Sequence, residues 1–189
     1  VHADVLYPSV SLGLFGINDT TLLRPILSAY NDWLAEFCGS HPKVLKGIAA
    51  ILLEDDIPAG ISEMKRAAGL GLSGAMISVY PGQGYFYDEP MYDPFWAAAQ
   101  ELNMPISLHV GTGRLGRSQL VEDGKVVQTG ADRSNGDHWV RMSLSYLVLG
   151  GVFERFPELK IGYFRDYDCE FDDRKSVKSL IEEIETFWA

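Results

Sequence analysis

The sequence predicts an α/β fold built on a parallel sheet, which is either an open doubly wound sheet or a (β/α)8 barrel with pieces missing. Two observations carry this prediction. Between residues 43 and 164, short β-branched runs alternate with amphipathic stretches that end at Gly or Pro, as in consecutive β/α units. The short runs are also nearly all apolar, which indicates strands that helices cover on both faces.

Five strands are predicted, and two weaker runs follow near the carboxyl end. A complete barrel needs eight strands and roughly 200 residues or more, whereas this chain has 189 residues. The sequence therefore falls short of a full barrel. The predicted strands are 4–7, 44–53, 74–80, 105–110 and 159–164, and the weaker runs are 168–171 and 186–188.

Each of the four predicted helices lies between two strands. The first follows a capping cluster at 18–20, and Pro25 is expected to limit how early this helix begins. Asp56 opens the second helix, Asp93 opens the third, and the fourth spans 139–153. Large aromatic residues at helical spacing are predicted to pack in the core: Tyr30, Trp33, Phe95, Trp96 and Trp139.

Residues 111–137 interrupt this rhythm. They contain six glycines and no apolar period, and they are far longer than a usual βα loop of about two to six residues. Because they follow the carboxyl end of a strand, where α/β folds bind ligands, we expect a functional loop, and an insertion without a role is the alternative. Gly111, Gly113 and Gly116 are spaced as in a dinucleotide-binding turn, but no helix follows directly, so we discount that motif.

Composition and charge exclude several classes of protein. With 47% hydrophobic residues the chain can fill a core, and its net charge of -10 would repel a nucleic-acid backbone. No apolar run is long enough to span a bilayer, and the first residues lack the basic start of a signal peptide. We therefore expect a cytoplasmic protein with no membrane and no nucleic-acid partner, in which Cys38 and Cys169 are reduced, buried thiols.

His109 is the strongest candidate for chemistry. It ends a predicted strand and directly precedes the 111–137 loop, so its imidazole lies at the edge where barrels bind ligands. A neutral imidazole there can bind a divalent metal or transfer a proton, and the alternative is a hydrogen-bonded structural histidine. His2, His41 and His138 are assigned to structural or surface positions.

An acidic cluster at 166–173 follows the last clear strand. Its carboxylates are suited to a cation, although a solvated acidic turn is the commoner outcome for such a run. The motifs of serine hydrolases, P-loop nucleotidases, zincins and thioredoxins are absent from the sequence. The residues alone therefore leave a metal site open as a hypothesis and specify no reaction.

One family shares the order and the residue types of five successive blocks, at 30–38, 45–49, 92–100, 105–109 and 151–161. The fourth block is Pro-Ile-Ser-Leu-His, and the last is Gly-Val-Phe-Glu-Arg-Phe-Pro-Glu-Leu-Lys-Ile. Together the blocks resemble the amidohydrolase-related proteins, in the branch that includes aminocarboxymuconate-semialdehyde decarboxylase. This resemblance implies a metal-dependent TIM barrel that hydrolyses its substrate or decarboxylates it without oxidation.

The resemblance covers residues 3–164 and places His109 at the metal-binding histidine that ends the family's fifth strand. The family's first strand, with its Asp-x-His or Glu-x-His pair, has no counterpart in this chain. At 163–166 the chain has Tyr-Phe-Arg-Asp where relatives place a His or Glu, and 165–189 resembles a shortened carboxyl-terminal part.

We therefore predict a single, incomplete (β/α)8 TIM barrel domain over residues 1–189. The resemblance implies a divalent metal, with zinc as the expected ion, and a small carboxylated or cyclic substrate. Because only His109 carries over as a ligand and a catalytic zinc needs about three or four, we expect the isolated chain to be impaired or inactive. The alternative is a non-catalytic binding or assembly module. Open sheet edges also predict self-association or a homo-oligomer.

Overall fold

Five parallel strands form one sheet in the part of the chain that the structure describes. The structure is a computed structural model and describes residues 3–81, 84–113, 121–122, 125–126 and 137–164. The strands of the sheet are β1 (Asp4–Leu6), β2 (Leu45–Ala50), β3 (Gly74–Ile77), β4 (Ile106–His109) and β7 (Ile161–Phe164). Within the 111–137 loop, β5 (Val121–Glu122) and β6 (Lys125–Val126) form a short antiparallel pair.

The strands of the sheet lie in the order in which they occur along the chain, and every neighbouring pair is parallel. A doubly wound sheet reverses its strand order at a switch point, and the described strands contain no such reversal. A barrel instead adds each strand beside the previous one. The prediction of a partial (β/α)8 barrel is therefore confirmed as a curled half-barrel, and the doubly wound alternative is wrong.

The predicted helices are present, and two of them begin at the predicted caps. The Asp19 carboxylate accepts hydrogen bonds from the N–H groups of Thr21 and Leu22, and the Asp56 carboxylate accepts one from Ala59. These caps satisfy N–H groups that have no partner within the helix. The helices are α1 (Thr20–Gly39), α2 (Ile57–Gly69), α3 (Asp93–Glu101), α4 (His138–Leu149) and α5 (Val152–Arg155), and 3₁₀ helices span Val10–Gly16 and Pro90–Tyr92.

The expectation that Pro25 limits the start of α1 is wrong, because α1 begins five residues earlier at Thr20 and continues through the proline. Proline removes the hydrogen bond that its own nitrogen would donate to the carbonyl of Thr21. Thr21 and Pro25 are both exposed, so water can replace that bond at little cost.

The helix predicted over 139–153 is two helices. α4 ends at Leu149, and α5 begins at Val152. Gly151, between them, has φ of 70°, a left-handed conformation that favours glycine and ends a helix. The Arg155 guanidinium donates a hydrogen bond to the carbonyl oxygen of Gly150 at 2.7 Å and fixes the corner.

Where β1 ends, side chains of α1 make hydrogen bonds to the backbone groups that β1 would otherwise pair with. The last residue pair between the two strands is Leu6 with Gly47. Beyond it, the Asn31 side-chain amide donates a hydrogen bond to the carbonyl oxygen of Ala50 at 3.1 Å and accepts one from the N–H of Ala50 at 2.8 Å. The Arg24 guanidinium then donates to the carbonyls of Leu52 and Glu54. The edge of β2 therefore keeps its hydrogen bonds without a longer β1.

The two faces of the sheet carry different apolar clusters. The convex face packs against the helices, where Phe95 and Trp96 are fully buried as predicted. The concave face holds a smaller cluster in which β2 and β3 meet the 3₁₀ helix and the start of α1. Its buried members are Phe15, Leu23, Leu27, Ile48, Ala50, Leu52 and Met76.

The prediction that Trp33 packs in the core is wrong. Its exposed fraction is 57%, and its ring stacks on Phe37 with centroids 5.7 Å apart. The core face of α1 runs through Leu27, Leu34 and Cys38, and Trp33 lies to the side of that stripe.

The thiol of Cys38 is free and buried, as predicted.

Several predicted features lie outside the described residues. The weaker strands at 168–171 and 186–188 are among them, as are Cys169 and the resemblance of 165–189 to a shortened carboxyl-terminal part. Within the described ranges, no helix is long and apolar enough to span a membrane.

A polar network joins α1 to α2. Arg66 donates to both carboxylate oxygens of Glu63 at 2.8 Å and also pairs with Asp32. Asn31 donates a further hydrogen bond to Glu63 at 2.7 Å. Burial alone would raise the pKa of Glu63, but the hydrogen bonds from Arg66 and Asn31 outweigh it and hold the pKa below its ordinary value of 4.5.

Replacing Glu63 tests this network through its pH dependence. A carboxyl with a lowered pKa in the folded state stabilises the protein above its unfolded pKa, and this stabilisation is lost as the pH falls through the folded value. We expect Glu63→Gln to lower the free energy of unfolding by about 1 kcal/mol near pH 7. The difference from the wild type should shrink as the pH falls below 4.5. Urea titrations at several pH values measure it.

The control is Glu36→Gln, which changes an exposed carboxyl on the same helix. As a surface substitution, it should lower the free energy of unfolding by no more than about 0.5 kcal/mol. A difference between wild type and Glu63→Gln that stays constant down to acid pH would contradict the lowered pKa of Glu63.

Candidate functional site

His109 is the last residue of β4, and its side chain lies on the concave face of the sheet. Ser107 and His109 are two residues apart, so they share one face of the strand. Ser107 pairs with Met76 of β3, and Met76 belongs to the concave cluster. His109 is half-buried. It therefore stands at the carboxyl edge of the half-barrel, as the sequence predicts.

The orientation of the His109 ring is restrained by the backbone carbonyl of the next residue, Val110. Nδ1 lies 2.6 Å from the carbonyl oxygen of Val110. A carbonyl oxygen only accepts hydrogen bonds, so Nδ1 carries the proton. In the neutral ring, the lone pair is then on Nε2. Metal-binding imidazoles are commonly held in this way, with the other ring nitrogen donating to a carbonyl.

A buried threonine holds the turn that follows His109. The Thr112 hydroxyl donates to the carbonyl of His109 at 2.7 Å and accepts a hydrogen bond from the N–H of Val79 at 2.8 Å. The Ser78 hydroxyl donates to the carbonyl of Thr112 at 2.8 Å. Gly111 has φ of 96°, which allows the chain to turn back so tightly. The start of the 111–137 loop is thereby tied to the end of β3.

Tyr7 is a site residue that the sequence analysis missed. It follows β1, yet its hydroxyl lies 2.8 Å from the hydroxyl of Ser107 on β4. Its ring centroid is 5.8 Å from that of His109. Burial raises the pKa of Tyr7 to about 12, against a smaller opposing effect of the hydrogen bond with Ser107. The phenol is therefore neutral and protonated at physiological pH. Its position at the carboxyl end of a predicted strand was the one available signal.

The described residues do not complete a metal site. A catalytic metal such as zinc takes about three protein ligands. Across the described ranges, no three His, Cys, Asp or Glu side chains converge so that they could hold a metal ion. His109 supplies one suitable donor, and the donor set is too small by itself.

The other candidate residues do not join His109. His41 is exposed, and His138 is exposed at the start of α4 with its ring against Trp139. These two histidines occupy surface positions, as predicted. His2, the acidic cluster at 166–173 and Gly116 lie outside the described residues.

A cavity of about 360 Å³, which we call the rim cavity, lies at the same end of the sheet, beside the residues that follow β2 and β3. Its lining includes Glu54, Asp55, Asp56 and Tyr92. Burial, with a smaller contribution from the charge of Glu54, raises the pKa of Tyr92 above its ordinary range. The three carboxylates would repel an anionic ligand.

Comparisons with known proteins agree with this geometry. A family described as amidohydrolase matches residues 3–162. A gamma-resorcylate decarboxylase from Rhodococcus jostii is 30% identical over 145 residues, which cover 69% of this chain and 42% of that protein.

Two solved structures share the fold. A 2,6-dihydroxybenzoate decarboxylase in complex with 2,6-dihydroxybenzoate has a TM-score of 0.64 and 23% identity, covering 86% of this chain and 51% of that chain. The 5-carboxyvanillate decarboxylase from Novosphingobium aromaticivorans, with bound manganese, has a TM-score of 0.66 and 22% identity, covering 86% and 45%. The chain spans about half the length of these proteins.

Replacing Thr112 tests the turn that carries His109. Thr112→Val keeps the shape of the side chain but leaves the buried N–H of Val79 without its acceptor. We expect the free energy of unfolding to fall by about 1–3 kcal/mol, measured by urea denaturation. The control Thr20→Val removes an exposed hydrogen bond to Asp55 and should cost no more than about 0.5 kcal/mol. Equal losses in the two variants would contradict the role of Thr112.

Proposed function

Because the chain belongs to the amidohydrolase family, we propose that it forms part of a metal-dependent enzyme that decarboxylates a small aromatic acid without oxidation. The observation that carries the proposal is His109 at the carboxyl edge of the half-barrel, with its Nδ1 proton held by Val110. Similarity to a gamma-resorcylate decarboxylase favours decarboxylation over the hydrolysis that the sequence left open.

The concave face suits an aromatic acid better than the neighbouring cavity does. The ring of Tyr7, which packs against the apolar cluster of the concave face, offers an apolar surface for an aromatic ring, and His109 adds a polar group at the mouth. The carboxylates of Glu54 and Asp55 in the rim cavity would repel a substrate carboxylate. We therefore place the substrate in front of His109.

The proposed reaction breaks the bond between a ring carbon and the carboxylate. Carbon dioxide leaves, the electron pair stays on the ring carbon, and a proton takes the place of the carboxylate. No oxidant or reductant is needed. A protein contributes to such a step by orienting the ring and excluding water from the developing charge. Tyr7, beside His109, is placed to orient the ring.

We propose His109 as one ligand of a divalent metal, with zinc as the ion that its nitrogen donor suits. Manganese is the ion in the solved 5-carboxyvanillate decarboxylase. Since the described residues supply one donor, the other ligands would have to come from outside them. The proposal therefore includes an impaired or inactive isolated chain.

The remaining parts of the proposal concern the whole chain. We propose one incomplete barrel domain over residues 1–189, with 111–137 as its active-face loop. The acidic net charge of -10 disfavours a nucleic-acid partner. The free, buried thiol of Cys38 fits a reducing compartment such as the cytoplasm.

A non-catalytic binding or assembly module is the second candidate. It is favoured by the sheet edges: β1 and β7 each pair on one side only among the described strands. An unpaired strand edge can bind another strand through its backbone groups. Metal content separates the two candidates, because a metal enzyme should bind its ion at a defined residue and a module should not.

The metal test compares the isolated chain with a histidine variant. After dialysis against Zn²⁺ or Mn²⁺, we expect well under one equivalent of metal per chain, because His109 alone cannot complete a site. His109→Ala should abolish this binding while leaving the fold intact, since a half-buried side chain at the mouth contributes little packing. Elemental analysis and circular dichroism measure the two outcomes.

The matched control is His41→Ala, which removes an exposed histidine away from this edge and should leave metal content unchanged. A full equivalent that survives His109→Ala would show that the metal site lies elsewhere. Complete absence of binding by the wild type would favour the non-catalytic module.

Self-association tests the open edges. The exposed fraction of Val5 on β1 is 42%, and that of Val44, outside the strands, is 44%. We expect light scattering to give a mass above the monomer's 21.0 kDa. Val5→Lys should lower that mass, because a lysine on an edge strand opposes strand pairing, whereas Val44→Lys should not. A monodisperse wild-type monomer would contradict self-association through the edges.

A further inference from the structure

We propose that Tyr7 is a positioning residue, whose phenol, tied to Ser107 across the concave face, holds the imidazole of His109 in its metal-binding orientation. The inference rests on the proposed role of His109 as a ligand. It assigns a function to Tyr7, which follows β1, whereas His109 ends β4.

The first step of the argument is the path of the Tyr7 side chain. β1 and β4 are separated in the sheet by β2 and β3, yet the hydroxyls of Tyr7 and Ser107 lie 2.8 Å apart. Only a curled sheet brings these groups together. The hydrogen bond therefore spans the concave face and ties the first strand to the strand that carries His109.

The second step is the contact between the two rings. The rings of Tyr7 and His109 have centroids 5.8 Å apart and planes inclined by 44°. The side chain of a histidine has two rotatable bonds, and the Nδ1 hydrogen bond to Val110 restrains the imidazole at one ring atom. The Tyr7 ring lies beside His109 and limits the space that the imidazole can enter on that side.

The third step is the chemistry of the hydroxyl pair. The concave cluster beneath is apolar, built from residues such as Ile48 and Met76. Ser107 is 4% exposed. Burying two hydroxyls beside apolar side chains is unfavourable unless they bond each other. The hydrogen bond between the two hydroxyls therefore fixes the direction in which the Tyr7 side chain crosses the concave face.

The test reads the His109 ring directly, without metal or substrate. The chain is labelled with ¹⁵N at histidine, and long-range ¹H–¹⁵N spectra are recorded above the usual histidine pKa of about 6.5. The wild type should show His109 with its proton on Nδ1. The signals are assigned by their loss in His109→Ala.

Two variants each remove one partner of the hydrogen bond between Tyr7 and Ser107. Tyr7→Phe keeps the ring and removes the hydroxyl, and Ser107→Ala removes the partner hydroxyl. Each should lower the ratio of Nδ1-protonated to Nε2-protonated His109 by no more than the roughly tenfold that one hydrogen bond is worth, because the lost bond acts on His109 only through the Tyr7 ring. The double variant should change the ratio no further, because both substitutions remove the same bond.

The matched control is Tyr30→Phe. Tyr30 is also partly buried, and burial raises its pKa to about 12 as it does for Tyr7, but its ring packs against Trp33. This variant should leave the His109 signals unchanged. A purely structural role for Tyr7 would lower the melting temperature of Tyr7→Phe without moving the His109 ratio, and that result would overturn the inference. If Tyr7→Phe fails to fold, the ratio of the two His109 tautomers in Ser107→Ala tests the inference instead.

The outcome is independent of metal binding. If the His109 ratio follows the tie but the chain binds no Zn²⁺ or Mn²⁺, the positioning role stands and the proposed function fails. If metal binds at His109 but neither variant moves the ratio, the proposed function stands and the positioning role is overturned.

Discussion

Parallel pairing of consecutive strands is the constraint on which the rest of this structure depends. Parallel neighbours cannot be joined by a tight hairpin, so each connection crosses over and brings a helix onto the convex face. The same pairing sends every carboxyl end to one edge, where His109 and the rim cavity both lie. It also curls the sheet, so that Tyr7 reaches Ser107 although the two are 100 positions apart.

Features with a local cause could be predicted from the sequence. The Asp19 and Asp56 caps each act on N–H groups within three residues, so their side chains and positions were sufficient evidence. The family resemblance was carried by five blocks in order, and the matched range of 3–162 agrees with it. The position of His109 followed from the end of a buried apolar run, which needs no knowledge of the other strands.

Features that depend on the surroundings could not be predicted. Pro25 is tolerated because the neighbouring carbonyl of Thr21 is exposed, and exposure is a property of the folded molecule. Gly151 interrupts the predicted helix because the chain turns there with a left-handed φ, whereas Gly60 lies inside α2 without ending it. Tyr7 escaped notice because its partner is on the fourth strand, and no sequence period connects residues across a curled sheet.

Asn31 at the end of β2, and Arg24 at the residues that follow it, replace the hydrogen bonds that β1 does not supply. The three residues of β1 pair with β2 only as far as Gly47, and beyond that point α1 supplies the hydrogen bonds to Ala50 and Leu52. We therefore expect local opening of the first strand to stop at Gly47, and the amide hydrogen of Ala50, which the Asn31 side chain accepts, to stay protected from exchange. The amino-terminal edge is the place where a strand can be lost, regained or exchanged between molecules while the rest of the sheet remains folded.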